Sequence, residues 1–310
     1  MNSVDSQNQS QKKRFIEIDV AKGGAVLLMM FFHYFYLGKH MNVVNANTDS
    51  GLLYLCAKLA HTTFIIASGM NLAISTSGKT SKEYIPKKVK RGLYLLAVGL
   101  IISYLTKIEF GDSYVKFGIM HFMGIATILS TFVMKVPILT YVISAGILLI
   151  HILLKTPSIK NRFFEVCEKN PFMCFISGIM NLKYDSLDHF SLIPYLGYFL
   201  LGSAIAFTCY KIKNVENDLS QESNNNNDND NDNDNDNDND NDNDNDNDND
   251  NGRKIEALGF LDKYQDNPIV KGLAWVGKRS MMFYVVHFTI LYCIFKIIQI
   301  NRSNVEITIE

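Results

Sequence analysis

The sequence predicts an all-α protein, a polytopic bundle of about seven transmembrane helices, with seven to nine as the range. Three observations predict this fold class. Apolar runs of membrane-spanning length recur, basic residues cluster in alternate loops, and one polar tract accounts for the low mean hydropathy and the near-zero net charge of the whole chain. A hydrocarbon core of ~30 Å takes about 20 helical residues. By that measure the candidate spans are 22–39, 52–75, 92–106, 117–134, 137–154, 192–211 and 281–300.

A low-complexity Asn-Asp tract fills residues 224–251 and lowers the mean hydropathy to +0.03, although 47% of the residues are hydrophobic. The tract holds 12 of the 31 acidic residues, so the remainder carries 30 Lys and Arg against 19 Asp and Glu. A basic remainder with long apolar runs is typical of a membrane protein and argues against a nucleic-acid binder. The tract has no apolar side chain to bury, so we expect a solvated, disordered insertion without a catalytic role.

The lysines and arginines of the short loops predict the orientation of the spans. With the N-terminus in the cytoplasm, four basic clusters fall on the cytoplasmic side: 12–14, 79–91, Lys135 and 211–213. The segment 155–191 fits less well, because basic residues such as Lys155, Lys160 and Arg162 lie in it. The polar N-terminus predicts no cleavable signal peptide, so the first span would act as a signal anchor.

These signals divide the chain into five regions. Two short apolar stretches, 171–180 and 268–276, leave the span count open, and we expect the first to lie at the interface. Five scattered cysteines without CxxC spacing predict neither a disulfide framework nor a metal site. The predicted regions are a polar cytoplasmic N-terminus (1–14), a membrane domain (15–213), a cytoplasmic loop (214–267), the last part of the membrane domain (268–300) and a tail (301–310).

Ionisable side chains at membrane depth are costly and mark candidate functional sites. His33 and His121 each lie inside an apolar run, and His40 and Asp188 lie near them at the predicted outer side. A histidine can act as a general base at neutral pH, and a neighbouring carboxylate can orient it. Each could equally be an interfacial residue without a catalytic role. His287 also lies in an apolar run, but nearer the predicted cytoplasmic half.

Six blocks of the chain, in order, resemble a known family. Residues 14–23 and the apolar run into His33 are similar to the opening of the heparan-α-glucosaminide N-acetyltransferase catalytic domain family. Lys22 departs from the arginine usual in that family, and Ser191 from its proline. The other similar blocks are 64–75 (FIIASGMNLAIS), 90–92 (KRG), 117–124 (FGIMHFMG), 188–202 (DHFSLIPYLGYFLLG) and 276–287 (VGKRSMMFYVVH).

The resemblance implies transfer of an acyl group from cytoplasmic acetyl-CoA or another acyl-CoA, used as a co-substrate, to a sugar or similar acceptor. It implies no permanently bound cofactor. His33 matches the histidine of the smaller bacterial members, whereas His40 is nearest to the acetyl-handling histidine of the heparan enzyme. Either would be the base, with His121 and Asp188 orienting groups or stabilising the tetrahedral intermediate.

A basic rim on the cytoplasmic side would hold the CoA phosphates, although the positive-inside rule alone also explains such charges. Two other functions stay open: a transporter or channel with proton-relay histidines, and an inactive family member. The expected partners are the lipid bilayer, a small-molecule or glycan acceptor and, as an open option, a second copy of the chain. The rim residues are Lys87, Lys88, Lys90, Arg91, Lys278 and Arg279.

Overall fold

The computed structural model describes residues 15–170, 176–177, 186–210 and 261–309. Within these ranges the chain is helical, without β-strands, apart from one isolated bridge between Phe117 and His189. This confirms the predicted all-α fold. The helices are α1 (Ile16–His40), α2 (Gly51–Thr76), α3 (Ser81–Phe110), α4 (Ile119–Val133), α5 (Pro137–Leu154), α6 (Pro157–Lys169), α7 (Leu192–Cys209), α8 (Pro268–Lys278) and α9 (Ser280–Ile309).

Six of these helices are long and apolar enough to cross a bilayer: α1, α2, α3, α5, α7 and the Ser280–Asn301 part of α9. Helix α4 is equally apolar but has 15 residues. At about 1.5 Å per residue it is ~22 Å long, shorter than the hydrocarbon core. It lies where the fourth span is predicted, so the prediction of about seven spans agrees with the structure. The chain is an integral multi-pass membrane protein.

The structure differs from the predicted boundaries at both ends of the chain, where α1 begins at Ile16 and α9 extends to Ile309, and in three further places. Helix α3 begins at Ser81, because Thr80 and Glu83 form a capping box there, and it therefore includes the basic cluster before residue 92. The short stretch 268–276 forms α8, which packs against α1. Helix α6 occupies part of the segment 155–191, where the sequence predicted no helix, and the stretch 171–180 lies mostly outside the described residues.

Glycines allow α8 and α9 to follow α1. A Cβ added to Gly277 would lie 1.8 Å from the carbonyl oxygen of Asp19, and one added to Gly23 would lie 1.9 Å from that of Leu273. Small residues permit such close helix contacts in membranes. Beyond this crossing, α9 runs in the same direction as α1. His33 and His287, each ten residues after the crossing glycines Gly23 and Gly277, are in contact again.

Candidate functional site

A cleft with a cavity volume of about 80 Å³ opens between the helices near the end of the bundle where α1 begins, called here the N-terminal face. Cationic and polar side chains line its mouth, and apolar side chains line its interior. The lining residues are Lys22 of α1; Phe64, Ser68, Asn71, Leu72 and Ser75 of α2; Lys88, Arg91 and Leu95 of α3; Met120, Met123 and Thr127 of α4; Phe199 of α7; and Ser280 and Met281 of α9.

Helical periodicity explains how each helix contributes to the cleft. Residues three, four and seven apart share one face of an α-helix. The lining positions of α2 (64, 68, 71 and 75) have this spacing, as do those of α3 (88, 91 and 95) and α4 (120, 123 and 127). One face of each of three helices therefore lines the cleft.

The cleft contains two of the predicted rim residues, Lys88 and Arg91, together with Lys22. Lys88 is 8% exposed, and Lys87, one position earlier in α3, is exposed and does not belong to the lining. Lys278 and Arg279 lie where α8 ends, also outside the lining, and the Arg279 guanidinium stacks 4.7 Å from the Trp275 ring. The structure thus divides the predicted basic rim into a part that lines the cleft and a part outside it.

A second group of side chains lies further along the bundle and is called here the polar cluster: His33, His121, Asp188, Tyr284 and His287. His33 of α1 and His287 of α9 are joined by a 2.9 Å hydrogen bond between His33 Nδ1 and His287 Nε2. Their ring centroids lie 5.1 Å apart with an angle of 27° between the ring planes. His287 is 4% exposed, and His33 is half-buried.

Asp188 connects three elements of the structure. Its Oδ2 accepts hydrogen bonds from the backbone N–H of Ile119, at 3.3 Å, and from the Tyr284 hydroxyl, at 3.4 Å. Asp188 therefore caps the N-terminus of α4, where the helix dipole favours a negative charge. The cap requires a glycine at the preceding position, since a Cβ on Gly118 would lie 2.8 Å from the same oxygen.

Burial raises the pKa of Asp188 to about 6, against the opposing effect of its hydrogen bonds from Ile119 and Tyr284. The neighbouring His189 shows the corresponding effect for a base: burial lowers its pKa to about 4. The segment before α7 thus places a carboxyl group that titrates near neutrality beside a histidine that is neutral at physiological pH.

His121 packs between α3 and α4, where the backbone of Gly99 contacts its ring. Its Nε2 lies 3.5 Å from the Ser103 hydroxyl, and its buried Nδ1 has no hydrogen-bond partner among the described residues. A narrow void beside the ring, too small to hold a water molecule, is lined by His121, Tyr284 and Met120, among others. Met120 also lines the cleft, so the cleft and the polar cluster adjoin each other at this side chain.

His40 is exposed at the C-terminal end of α1, two turns beyond His33, and its ring lies 4.7 Å from the Tyr36 ring. The Tyr36 hydroxyl in turn donates to the carbonyl oxygen of Leu187, next to Asp188. The structure therefore brings His33, His121 and Asp188 into one region, and His40 lies at the edge of that region.

Sequence reasoning missed two members of the polar cluster. Tyr284 was not a candidate, and His287 was separated from His33 because it was expected nearer the cytoplasmic half. The structure places the two imidazoles at the same level. The spacing of Tyr284 and His287, three residues apart on one face of α9, is the local signal that could have linked them.

A family model described as heparan-alpha-glucosaminide N-acetyltransferase, catalytic, matches residues 14–228. Comparison with curated proteins and with solved structures gave no match. The matched region covers more than half of the chain and contains the cleft faces of α2, α3 and α4 together with His33, His121 and Asp188. This chain belongs to the heparan-alpha-glucosaminide N-acetyltransferase catalytic family.

Proposed function

We propose that this protein is a membrane acyltransferase that takes an acetyl or other acyl group from cytoplasmic acyl-CoA. The acceptor is the amine or hydroxyl of a sugar or similar small molecule bound from the opposite side of the membrane. One observation carries the proposal: Met120 lines both the cation-lined cleft and the void beside His121 and Tyr284. The proposed donor cleft therefore adjoins the polar cluster at Tyr284, which lies beside His287, the hydrogen-bond partner of His33.

The cleft has the chemistry that a CoA donor requires. Lys22, Lys88 and Arg91 supply positive charge at its mouth for the phosphates, and arginine can bind a phosphate through two parallel hydrogen bonds. Deeper in the cleft, Met120 and Met123 offer apolar surface to the acyl end. The thioester would thus point from the N-terminal face toward the polar cluster.

His33 is the proposed general base. It accepts the proton of the acceptor amine or hydroxyl while the acceptor attacks the thioester carbonyl carbon. The tetrahedral intermediate then collapses, the C–S bond breaks, and the CoA thiolate takes the proton from the His33 imidazolium. Tyr284 and His121, which line the void beside Met120, would donate hydrogen bonds to the developing oxyanion.

The test uses the full-length protein in nanodiscs with acetyl-CoA labelled in the acetyl group and a panel of amino-sugar and lipid acceptors. We expect label to move to an acceptor in the wild type and to be lost in His33→Ala. Absence of both label transfer and acyl-CoA binding in folded wild-type protein would contradict the proposal and favour a transporter or an inactive protein.

The proposal also requires the N-terminal face to be cytoplasmic, because CoA is a cytoplasmic donor. In a background with all five native cysteines replaced by serine, Asn45→Cys after α1 should react with an impermeant maleimide in intact cells. Lys82→Cys, in the first turn of α3, should react only after permeabilisation. The reverse labelling pattern would place the cleft on the wrong side of the membrane.

A further inference from the structure

We infer that His287 is a positioning residue for His33: it holds the proton of His33 on Nδ1 and leaves Nε2 as the basic nitrogen. This inference rests on the proposed function, in which His33 is the base. It concerns a residue at the end of the sixth family-like block (276–287), which lies beyond the region 14–228 that the family model matches. Three ring nitrogens of the imidazole pair make the hydrogen bonds that fix the two tautomers: His287 Nδ1, His287 Nε2 and His33 Nδ1.

The first step fixes the tautomer of His287. Its Nδ1 lies 2.8 Å from the carbonyl oxygen of Phe283, one turn earlier in α9. A carbonyl oxygen can only accept a hydrogen bond, so Nδ1 of His287 must carry a proton. A neutral imidazole has one N–H, and its other nitrogen is an acceptor. Nε2 of His287 is therefore an acceptor.

The acceptor role of His287 Nε2 in turn fixes the tautomer of His33. His33 Nδ1 lies 2.9 Å from His287 Nε2, and two acceptors do not form a hydrogen bond. His33 must therefore donate through Nδ1–H, which leaves its Nε2 with a lone pair. Among the described residues, none forms a hydrogen bond with His33 Nε2, so that part of the chain leaves this nitrogen open to an acceptor.

The third step is chemical. When His33 Nε2 accepts the acceptor's proton, the imidazolium keeps its Nδ1–H on His287 Nε2. His287 therefore stabilises the charge that forms, in the way that a buried hydrogen-bond acceptor orients the histidine of a hydrolase triad. His287 is buried at 4% exposure, and its hydrogen bond to the Phe283 carbonyl keeps its Nε2 as the acceptor for His33.

The activity test compares two variants of similar size. In His287→Gln the side-chain carbonyl can replace Nε2 as an acceptor for His33, whereas His287→Leu removes the acceptor. We expect His287→Leu to lower kcat by ~100-fold or more with an unchanged KM for acetyl-CoA, because a wrong tautomer removes the base but not the donor site. His287→Gln should retain activity within ~10-fold of the wild type. Equal activities for the two variants would overturn the inference.

A second measurement does not depend on turnover. The ¹⁵N shifts of labelled histidines in wild-type protein in nanodiscs report which ring nitrogen of each imidazole is protonated, with signals assigned from His33→Gln and His287→Gln. We expect both residues to carry the proton on Nδ1. A proton on Nε2 of His33 would overturn the inference even if transfer occurs. A wild type with the expected tautomers but no label transfer would instead contradict the proposed function.

Discussion

The cleft and the polar cluster are built in different ways, although they adjoin each other at Met120. Regular helical spacing along α2, α3 and α4 supplies most of the cleft lining, and residues of α1, α7 and α9 complete it. The polar cluster instead depends on single residues from distant segments, such as His33 and His287, which are 254 positions apart. The difference indicates that local pattern specifies most of the binding surface, whereas long-range helix packing assembles the reactive groups.

The two regions should also respond differently to mutation. A side chain that contacts the donor equally in the ground and transition states contributes to KM, and a proton-transferring group contributes to kcat. Substitutions in the cleft should therefore change KM for acetyl-CoA, and substitutions in the polar cluster should change kcat. The following predictions test that separation or the packing on which it depends.

The largest effect is expected from His33→Gln. Loss of a general base should lower kcat by ~10²- to 10⁴-fold and leave KM for acetyl-CoA nearly unchanged, measured by label transfer in nanodiscs. His151→Gln, on α5 away from both regions, is the matched control and should behave as the wild type. His40→Gln should cost less than ~10-fold, since His40 is exposed at the end of α1. A loss in His40→Gln equal to that in His33→Gln would move the base to His40.

The second effect concerns stability as a function of pH. The pKa of Asp188 is raised to about 6, so the folded protein keeps a proton that the unfolded chain releases above about pH 4. The protonated Asp188 carboxyl group therefore contributes to the free energy of unfolding below about pH 4, and this contribution is lost as the pH rises through about 6. Asp188→Asn keeps an acceptor oxygen for Ile119 N–H and cannot ionise.

We therefore expect Asp188→Asn to gain stability over the wild type as the pH rises from 4 to 7, by at most about 3 kcal/mol and less where water reaches the carboxyl group. Thermal unfolding followed by fluorescence of Trp275, the single tryptophan, measures the difference. Asp49→Asn, at an exposed ion pair with Lys39, serves as the control. A difference that does not vary with pH would contradict the raised pKa.

The third effect tests the crossing of α2 and α7, which supports the cleft. A Cβ on Gly69 would lie 1.9 Å from the carbonyl oxygen of Phe199, a backbone atom beside a cleft-lining ring. Gly69→Ala should therefore destabilise the protein by about 1–3 kcal/mol, seen as a lower Tm. In Gly146→Ala, on α5, the added Cβ meets nothing within 4 Å, so its Tm should not fall. Equal Tm values for the two variants would argue against the close crossing.

The sequence predicted the parts of the fold that depend on local composition. Long apolar runs and clustered basic residues can be recognised without knowledge of packing. They predicted the spans and the basic rim that includes Lys88 and Arg91, which line the cleft. The depth of His287 along the bundle could not be predicted in this way. Helix α8 packs against the start of α1, with Gly277 beside Gly23. Helix α9 therefore begins at the depth of the residues that follow Gly23, inside the bundle and not at its surface. That offset brings His287 to His33.

The smallest effect, and the one that tests the donor side alone, is expected from Arg91→Ala. Loss of a charge-assisted hydrogen bond to a phosphate costs about 1.5 kcal/mol, which raises KM for acetyl-CoA by ~10-fold. The control is Lys87→Ala, which removes the same charge from α3 one turn earlier; both side chains are exposed, but Lys87 lies outside the cleft lining. General electrostatic attraction to the basic face would weaken binding equally in both variants. A KM change confined to Arg91→Ala, with kcat unchanged, would show that the phosphate is held inside the cleft, because only the helix face that points into the cleft would then matter.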